Sequence, residues 1–339
     1  MNFGLIGYGA WGCYHGEAIA QGDGTELTAI ACKSKRTVQK ASGDYPEAAV
    51  YRDYRDLLKR EDIEAVDIVL PTFLHAQVGI EALNAGKHVL LEKPMAASAE
   101  QCDRLLEAAR RNEKVLSIGH EFRLSTQWTK VKELVDQGKI GKPLYAMVSL
   151  FRFPYRKGSD EWRYDRERVG SWILEEPIHF FDFILWIFEG LGNPVSIIAQ
   201  GNAKKSTEGL YDNFTSVLKY RDGAYALITQ TLGGFEHHQV VEIVGTEGSI
   251  RNLWSGAMDR TLEPEFDLKL QERGSDHCVD VPIELSGEVF ELREEIRETA
   301  RLFNKGEPLY PPESGRRVVI VCNEAERSLN EGREIPLDL

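Results

Sequence analysis

The chain has 339 residues, of which 42% are hydrophobic and 28% charged, with a formal net charge of -13. That length exceeds what one ordinary core fills and predicts two domains. The acidity and the lack of a long basic stretch exclude a nucleic-acid backbone as partner, and no apolar run reaches the roughly 18 residues of a membrane span.

The first third alternates strand and helix signals. FGLIG reads as an apolar strand, AWGCYHGEAIAQ as a helix and ELTAIAC as a strand. YRDLLKR is helical, AVDIVLP is a buried strand stopped by Pro71, and HAQVGIEALNAG is a helix with a glycine cap. KHVLLEKP is a strand ended by Pro94, SAEQCDRLLEAARRN a helix capped by Ser98, and KVLSIGH a further strand. Strands spaced by helices predict a parallel, doubly wound sheet over residues 1–120. Beyond the helix TQWTKVKELVDQG come the strand-like runs LYAMVSLFRF, VSIIAQGNA, FTSVLKY, AYALITQTL and QVVEIVG, with a hairpin turn at Asp222-Gly223. Residues 121–339 therefore read as an α+β domain with a large, mostly antiparallel sheet. PIHFFDFILWIFEG and VFELREEIRETARLFNKG are expected to cover one face of it, and the C-terminal helix to pack back on the first domain. The five cysteines (Cys13, Cys32, Cys102, Cys278, Cys322) form no CxxC pair. With an opening MNFGLIG that lacks a basic leader, they lead us to expect reduced thiols in the cytoplasm.

Gly7-Tyr8-Gly9-Ala10-Trp11-Gly12 is a GxGxxG that follows a strand and opens a helix. In that context it marks a Rossmann dinucleotide-binding domain: one glycine for the tight turn, one for approach of a pyrophosphate, one for helix–strand packing. Gly7, Gly9, Ala10, Trp11 and Gly12 are the expected phosphate contacts, on the helix N-terminus. After the second strand, where an acid would bind the ribose hydroxyls of NAD, stands Cys32-Lys33-Ser34-Lys35-Arg36. Cys32, Lys33, Ser34 and Arg36 suit a 2′-phosphate, so NADP is expected in preference to NAD.

The stretch SWILEEPIHFFD, followed by FILWIF, puts polar groups on an apolar helix. Pro177 suits the first helical turn, which leaves Glu175 and Glu176 at the helix start and His179 in the first turn. Charge there complements the helix dipole. His179 and Asp182 share a face, and burying both requires partners or a cleft; Asp182 either orients His179 or bonds to backbone. A histidine can take a hydroxyl proton near neutrality, and Lys93, at a strand end stopped by Pro94, can stabilise a developing alkoxide.

The glycine loop, PTFLHAQVGIEALNAGKHVLLEKPMA and GSWILEEPIHFFD, in this order, resemble the Gfo/Idh/MocA oxidoreductases over essentially the whole chain. The resemblance implies that Lys93 of the EKP motif points to the reacting carbon and that His179 exchanges the substrate proton. It aligns Glu175 with a catalytic aspartate of many members, and Pro71, Thr72, His75 and Glu92 with the cofactor side. GSW replaces the usual glycines, so Trp172 is expected to narrow the site or stack on a sugar. Leu74 replaces a frequent asparagine.

The loop FRFPYRKGSDEWRYDRERVG interleaves Arg152, Arg156 and Arg163 with Tyr155 and Trp162. These groups suit a carbohydrate-like small molecule, and the arginines also suit an acidic substituent. Arg123, Glu176, Asn213, His237 and His238 are further substrate candidates; the paired histidines lack a third ligand, so no metal site is expected. The expected activity is an NAD(P)-dependent dehydrogenase or reductase of a sugar or cyclitol. The alternatives are a glycosidase that oxidises its sugar transiently and a non-catalytic nucleotide-binding regulator. Family analogy implies a homodimer or homotetramer built on the second domain's sheet.

Overall fold

A computed structural model describes residues 1–339 except Lys205, Ser206, Glu208 and Phe235. The chain divides into two units: Met1–Glu121 with Leu292–Arg316, and Phe122–Glu291 with Arg317–Leu339.

Up to residue 121 the elements are β1 (Asn2–Ile6), α1 (Gly12–Gln21), β2 (Glu26–Ala31), α2 (Lys35–Asp44), β3 (Ala49–Tyr51) and α3 (Tyr54–Leu58). They continue with β4 (Ala65–Ile68), α4 (Thr72–Asn84), β5 (His88–Glu92), α5 (Ala99–Arg111) and β6 (Leu116–Gly119). From residue 122 follow α6 (Thr126–Asp136), β7 (Pro143–Phe151), α7 (Arg166–Val169), α8 (Pro177–Ile187), β8 (Ser196–Asn202) and β9 (Asn213–Lys219). Then come β10 (Tyr225–Thr231), β11 (His237–Gly245), β12 (Gly248–Gly256), β13 (Glu265–Glu272), β14 (Val279–Asp280), α9 (Glu288–Phe303), α10 (Glu313–Glu331) and β15 (Ile335–Pro336).

The first unit holds a parallel sheet of order β3-β2-β1-β4-β5-β6. The order reverses between β1 and β4, and in such sheets ligands bind outside the strand carboxyl ends at that point. The strands are apolar on both faces because helices cover both. α9 contributes to this core. Its Leu292, Ile296, Ala300 and Phe303 recur at helical spacing, are buried, and pack with Phe3, Leu5 and Ile30. Burying each of the large ones is worth roughly 1.5–3 kcal/mol. The expectation that this helix covers the antiparallel sheet is thus corrected from Leu292 onward: its apolar stripe belongs to the parallel sheet.

The second unit's sheet has the order β14-β13-β12-β11-β7-β10-β9-β8-β15. Neighbours are antiparallel except β7 and β10, which pair in parallel. A parallel pair needs a long crossover, and the chain between β7 and β8 supplies the helix for it. That helix, α8, is buried on nearly every side and packs on β7, β10 and α6. The sheet's other face is half-exposed and partly apolar: Tyr225, Val244 and Ile198 keep 41%, 40% and 37% of their surface in solvent.

Candidate active site

In the first unit, four loops leave the carboxyl ends of β1, β2, β4 and β5. Gly7 turns sharply at φ +110°, and a Cβ there would lie 2.0 Å from the Val69 carbonyl oxygen. At Gly12 a Cβ would lie 2.1 Å from the Gly7 oxygen. Gly9 differs: a Cβ would meet nothing within 4 Å, and Gly9 and Ala10 are exposed ahead of α1. Two glycines are thus demanded by the protein's own packing, and the third leaves backbone bare at a helix N-terminus. This arrangement fits a dinucleotide pyrophosphate.

Behind β2, Lys33, Ser34, Lys35 and Arg36 are exposed. The Ser34 hydroxyl accepts the Thr37 N–H at 3.1 Å and caps α2, so it already has a structural task. Cys32 is buried, with burial raising its thiol pKa. Pro71 and Thr72 open α4. The Nδ1 and Nε2 of His75 each lie 2.7 Å from a backbone carbonyl, of Pro94 and Leu70, and brace the loops after β4 and β5.

Lys93 directly follows β5 and is half-buried. The preceding Glu92 joins a network that sequence reading missed. Trp11 Nε1 donates to Glu92 Oε1 at 2.7 Å. His15, on α1, lies 3.2 Å from the same oxygen and 2.7 Å from Asp67 Oδ2 on β4. Burial opposes the His15 imidazolium, yet the charge and hydrogen bond of Asp67, with Glu92, outweigh it and raise its pKa to about 10. Burial also opposes the Glu92 carboxylate. The hydrogen bond and charge of His15, the charge of Lys93 and the Trp11 donor hold it down at about 2. Asp67 is raised by burial in spite of His15. The signals were legible: an aspartate inside the apolar AVDIVLP, and a histidine three residues after the last glycine of the loop.

In the second unit, α8 begins at Pro177, with Glu176 at its cap. Glu175, Glu176, His179 and Asp182 are all buried. His179 stacks on Phe122, ring centroids 4.6 Å apart. Asp182 receives two hydrogen bonds at 2.7 Å from Arg123, a bidentate pair. Glu175 accepts from Arg163 Nε at 2.7 Å. Glu176 pairs with Arg152 and lies 2.8 Å from His237 Nε2. Burial, with Arg152 beside it, lowers the His237 pKa to about 4, so near neutral pH His237 is a donor to Glu176, not its counter-ion. Asp259, which sequence reading passed over, lies 3.4 Å from Arg152 and 2.9 Å from Arg156.

Several expected substrate contacts are used elsewhere. Trp172 is 1% exposed, inside a cluster with Tyr155, Trp162 and Leu210, and its Nε1 donates to the Arg163 carbonyl at 2.8 Å. Its ring is committed to packing rather than to a sugar face. Tyr155 donates to Gln230 at 2.7 Å. Asn213 and His238 sit in one ladder row with Phe151 and Thr231, on the sheet face opposite α8. Side chains alternate across a strand, so His237 reaches Glu176 while its neighbour stacks on Phe151 at 4.9 Å. Among the described residues no cluster of His, Cys, Asp and Glu could hold a metal ion.

Comparison with known proteins places this geometry. Residues 1–120 match a family model described as an oxidoreductase family with an NAD-binding Rossmann fold, and residues 128–251 match the GFO/IDH/MocA C-terminal domain. A 1-carboxy-3-chloro-3,4-dihydroxycyclohexa-1,5-diene dehydrogenase of Comamonas testosteroni is 30% identical over 72% of the chain and 61% of its own length. The myo-inositol 2-dehydrogenase of Thermotoga maritima is 26% identical over 100% of the chain and 99% of its own. A levoglucosan dehydrogenase solved with NADH and levoglucosan superposes with a TM-score of 0.82 at 20% identity, covering 100% of both chains. With the fold, the glycine loop and both matched domains in agreement, the chain belongs to the Gfo/Idh/MocA family of oxidoreductases.

Proposed function

We propose that the protein is an NAD(P)-dependent dehydrogenase or reductase that interconverts a secondary alcohol and a ketone on a sugar, sugar derivative or cyclitol. The observation that carries this reading is the bare Gly9 backbone at the start of α1, at the same sheet end as Lys93. The nicotinamide, when bound, accepts or supplies the hydride. His179 takes the hydroxyl proton during oxidation and returns it during reduction. The Lys93 ammonium stabilises negative charge developing on the same oxygen. Glu175, anchored by Arg163, fixes the lead into α8. The inositol and levoglucosan dehydrogenases among the relatives support the substrate class.

NADP is the preferred cofactor in this proposal. The exposed Lys33, Lys35 and Arg36 at the end of β2 support it, with no acid among them to bind a ribose diol. Net oxidation is favoured over transient oxidation in glycoside cleavage. Cleavage needs a carboxyl group available to give a proton, whereas Glu175 and Glu176 are both paired with arginine. The test is NADP(H)-linked turnover over a panel of sugars and cyclitols. His179→Ala and Lys93→Ala are expected to lower kcat by at least about a hundredfold. Unchanged turnover in both variants would sink the assignment.

A further inference from the structure

The substrate can be narrowed by charge. The inference rests on the α8 start being the substrate end, as proposed above. The relatives leave the matter open, since one is named for a carboxylated ring and another for neutral inositol.

Arg152 and Arg156 look from sequence like a receptor for an acidic group. In the structure both are already neutralised. Arg152 stands between Glu176 and Asp259, and Asp259 also holds Arg156. The Arg152–Glu176 pair is largely out of water, Arg152 9% exposed and Glu176 5%, whereas Arg156 keeps 47% of its side chain in solvent. His237, the neutral group beside Glu176, donates to it without adding charge. Further along, Arg123 and Arg163 are taken by Asp182 and Glu175.

We propose that this Glu176–Arg152–Asp259 arrangement is a specificity determinant that selects an uncharged polyhydroxylated ring and excludes its carboxylate, phosphate or sulfonate counterparts. The physics is a difference between two ligands. Ring hydroxyls donate to lone pairs of Asp259, which lines a cavity with Phe122, Gln239 and Trp254, while Glu176, its carboxylate oxygens sealed from solvent, holds Arg152 from the other side. An anion finds Arg152 already paired on both sides and meets the Asp259 carboxylate of its own sign. Rejection by like charge is a common device of specific sites.

The experiment compares kcat/KM for matched pairs, glucose with glucuronate and galactose with galacturonate, plus myo-inositol, in wild type, Asp259→Asn and Glu176→Gln. Wild type is expected to favour the neutral member by about a hundredfold. Asp259→Asn frees Arg152 and Arg156, and is expected to narrow that ratio by about tenfold. Glu176→Gln tests the same arginine from its other side. Equilibrium binding of each pair in the presence of the reduced cofactor is measured in parallel. A wild-type preference for the uronates, in turnover or in binding, overturns the proposal and leaves the oxidoreductase reading intact. An unchanged ratio in both variants does the same. If no member turns over or binds, the catalytic reading falls and takes this one with it.

Discussion

Replacing His15 with glutamine gives the sharpest internal test of the first unit's electrostatics. His15 and Asp67 are 0% exposed and Glu92 is 7% exposed. The imidazolium is the cation within hydrogen-bonding reach of both carboxylates, at 2.7 and 3.2 Å. Removing one partner of a buried ionic network leaves uncompensated charge and costs about 3–5 kcal/mol. For a unit of this size that is a fall of roughly 10 °C in Tm at pH 7. The deficit should shrink on acidification below pH 7, because burial, which already raises the Asp67 pKa, favours its protonated form once the imidazolium is gone. The wild type has the complementary dependence. The His15 pKa is higher folded than unfolded, so its contribution is complete below about 6.5 and is lost as pH rises through about 10. The assay is thermal unfolding of wild type and His15→Gln from pH 5 to 10. A variant within about 0.5 kcal/mol of wild type at pH 7 would refute the ionised network. So would a deficit that grows from pH 7 down to pH 5.

The glycine loop should separate folding from ligand binding. Gly7→Ala must fit a Cβ 2.0 Å from a carbonyl oxygen at φ +110°, and is expected to lose several kcal/mol of stability in chemical denaturation. Gly9→Ala meets no protein atom and should keep its Tm while cofactor affinity falls at least about tenfold by titration. Glu291, fully buried, is raised to about 7 by desolvation, against hydrogen bonds from Ser125, Ser286 and the Gly287 N–H. Its folded form holds a proton that the unfolded form has lost. Stability should therefore drop by up to about 3 kcal/mol between pH 4.5 and 7, and Glu291→Gln should flatten that slope in a melting series. The half-exposed sheet face carrying Tyr225, Val244 and Ile198 is our proposed homo-oligomer surface. Tyr225→Glu with Val244→Lys should give monomers by light scattering where wild type gives dimers or tetramers.

The parallel sheet was legible because β4 and β5 are short apolar runs with proline just beyond them, and α5 has a strict apolar stripe under a serine cap. α2 was not, since only Ala41 of its ten residues is buried and KRTVQKASGD shows no apolar period. The same reasoning explains α9. Its stripe announced a helix, but a stripe does not say which sheet it will meet, and the pairing with Phe3 and Ile30 spans nearly the whole chain. At the candidate site, polar residues on an apolar helix drew attention to His179 and Asp182, and the structure buries both. The pairings of Arg123 with Asp182, Arg163 with Glu175 and Asp259 with Arg152 were hidden because the members of each pair lie on different segments. Trp172 and His238 show the limit of sequence reading: residue type shows what a side chain can do, and only burial and strand register show where it points.

Central to the proposed function is a nicotinamide cofactor on the Gly9 loop, held by a basic rather than an acidic ribose site. Titration of NADPH and NADH into nucleotide-free protein, followed by energy transfer from tryptophan with Trp11 in that loop, tests it most directly. The account predicts saturable binding of both, with NADPH at least about tenfold tighter and the preference abolished in Lys33→Ala/Arg36→Ala. Equal or tighter NADH binding would contradict the basic-loop assignment, and binding of neither would contradict the oxidoreductase mechanism as a whole.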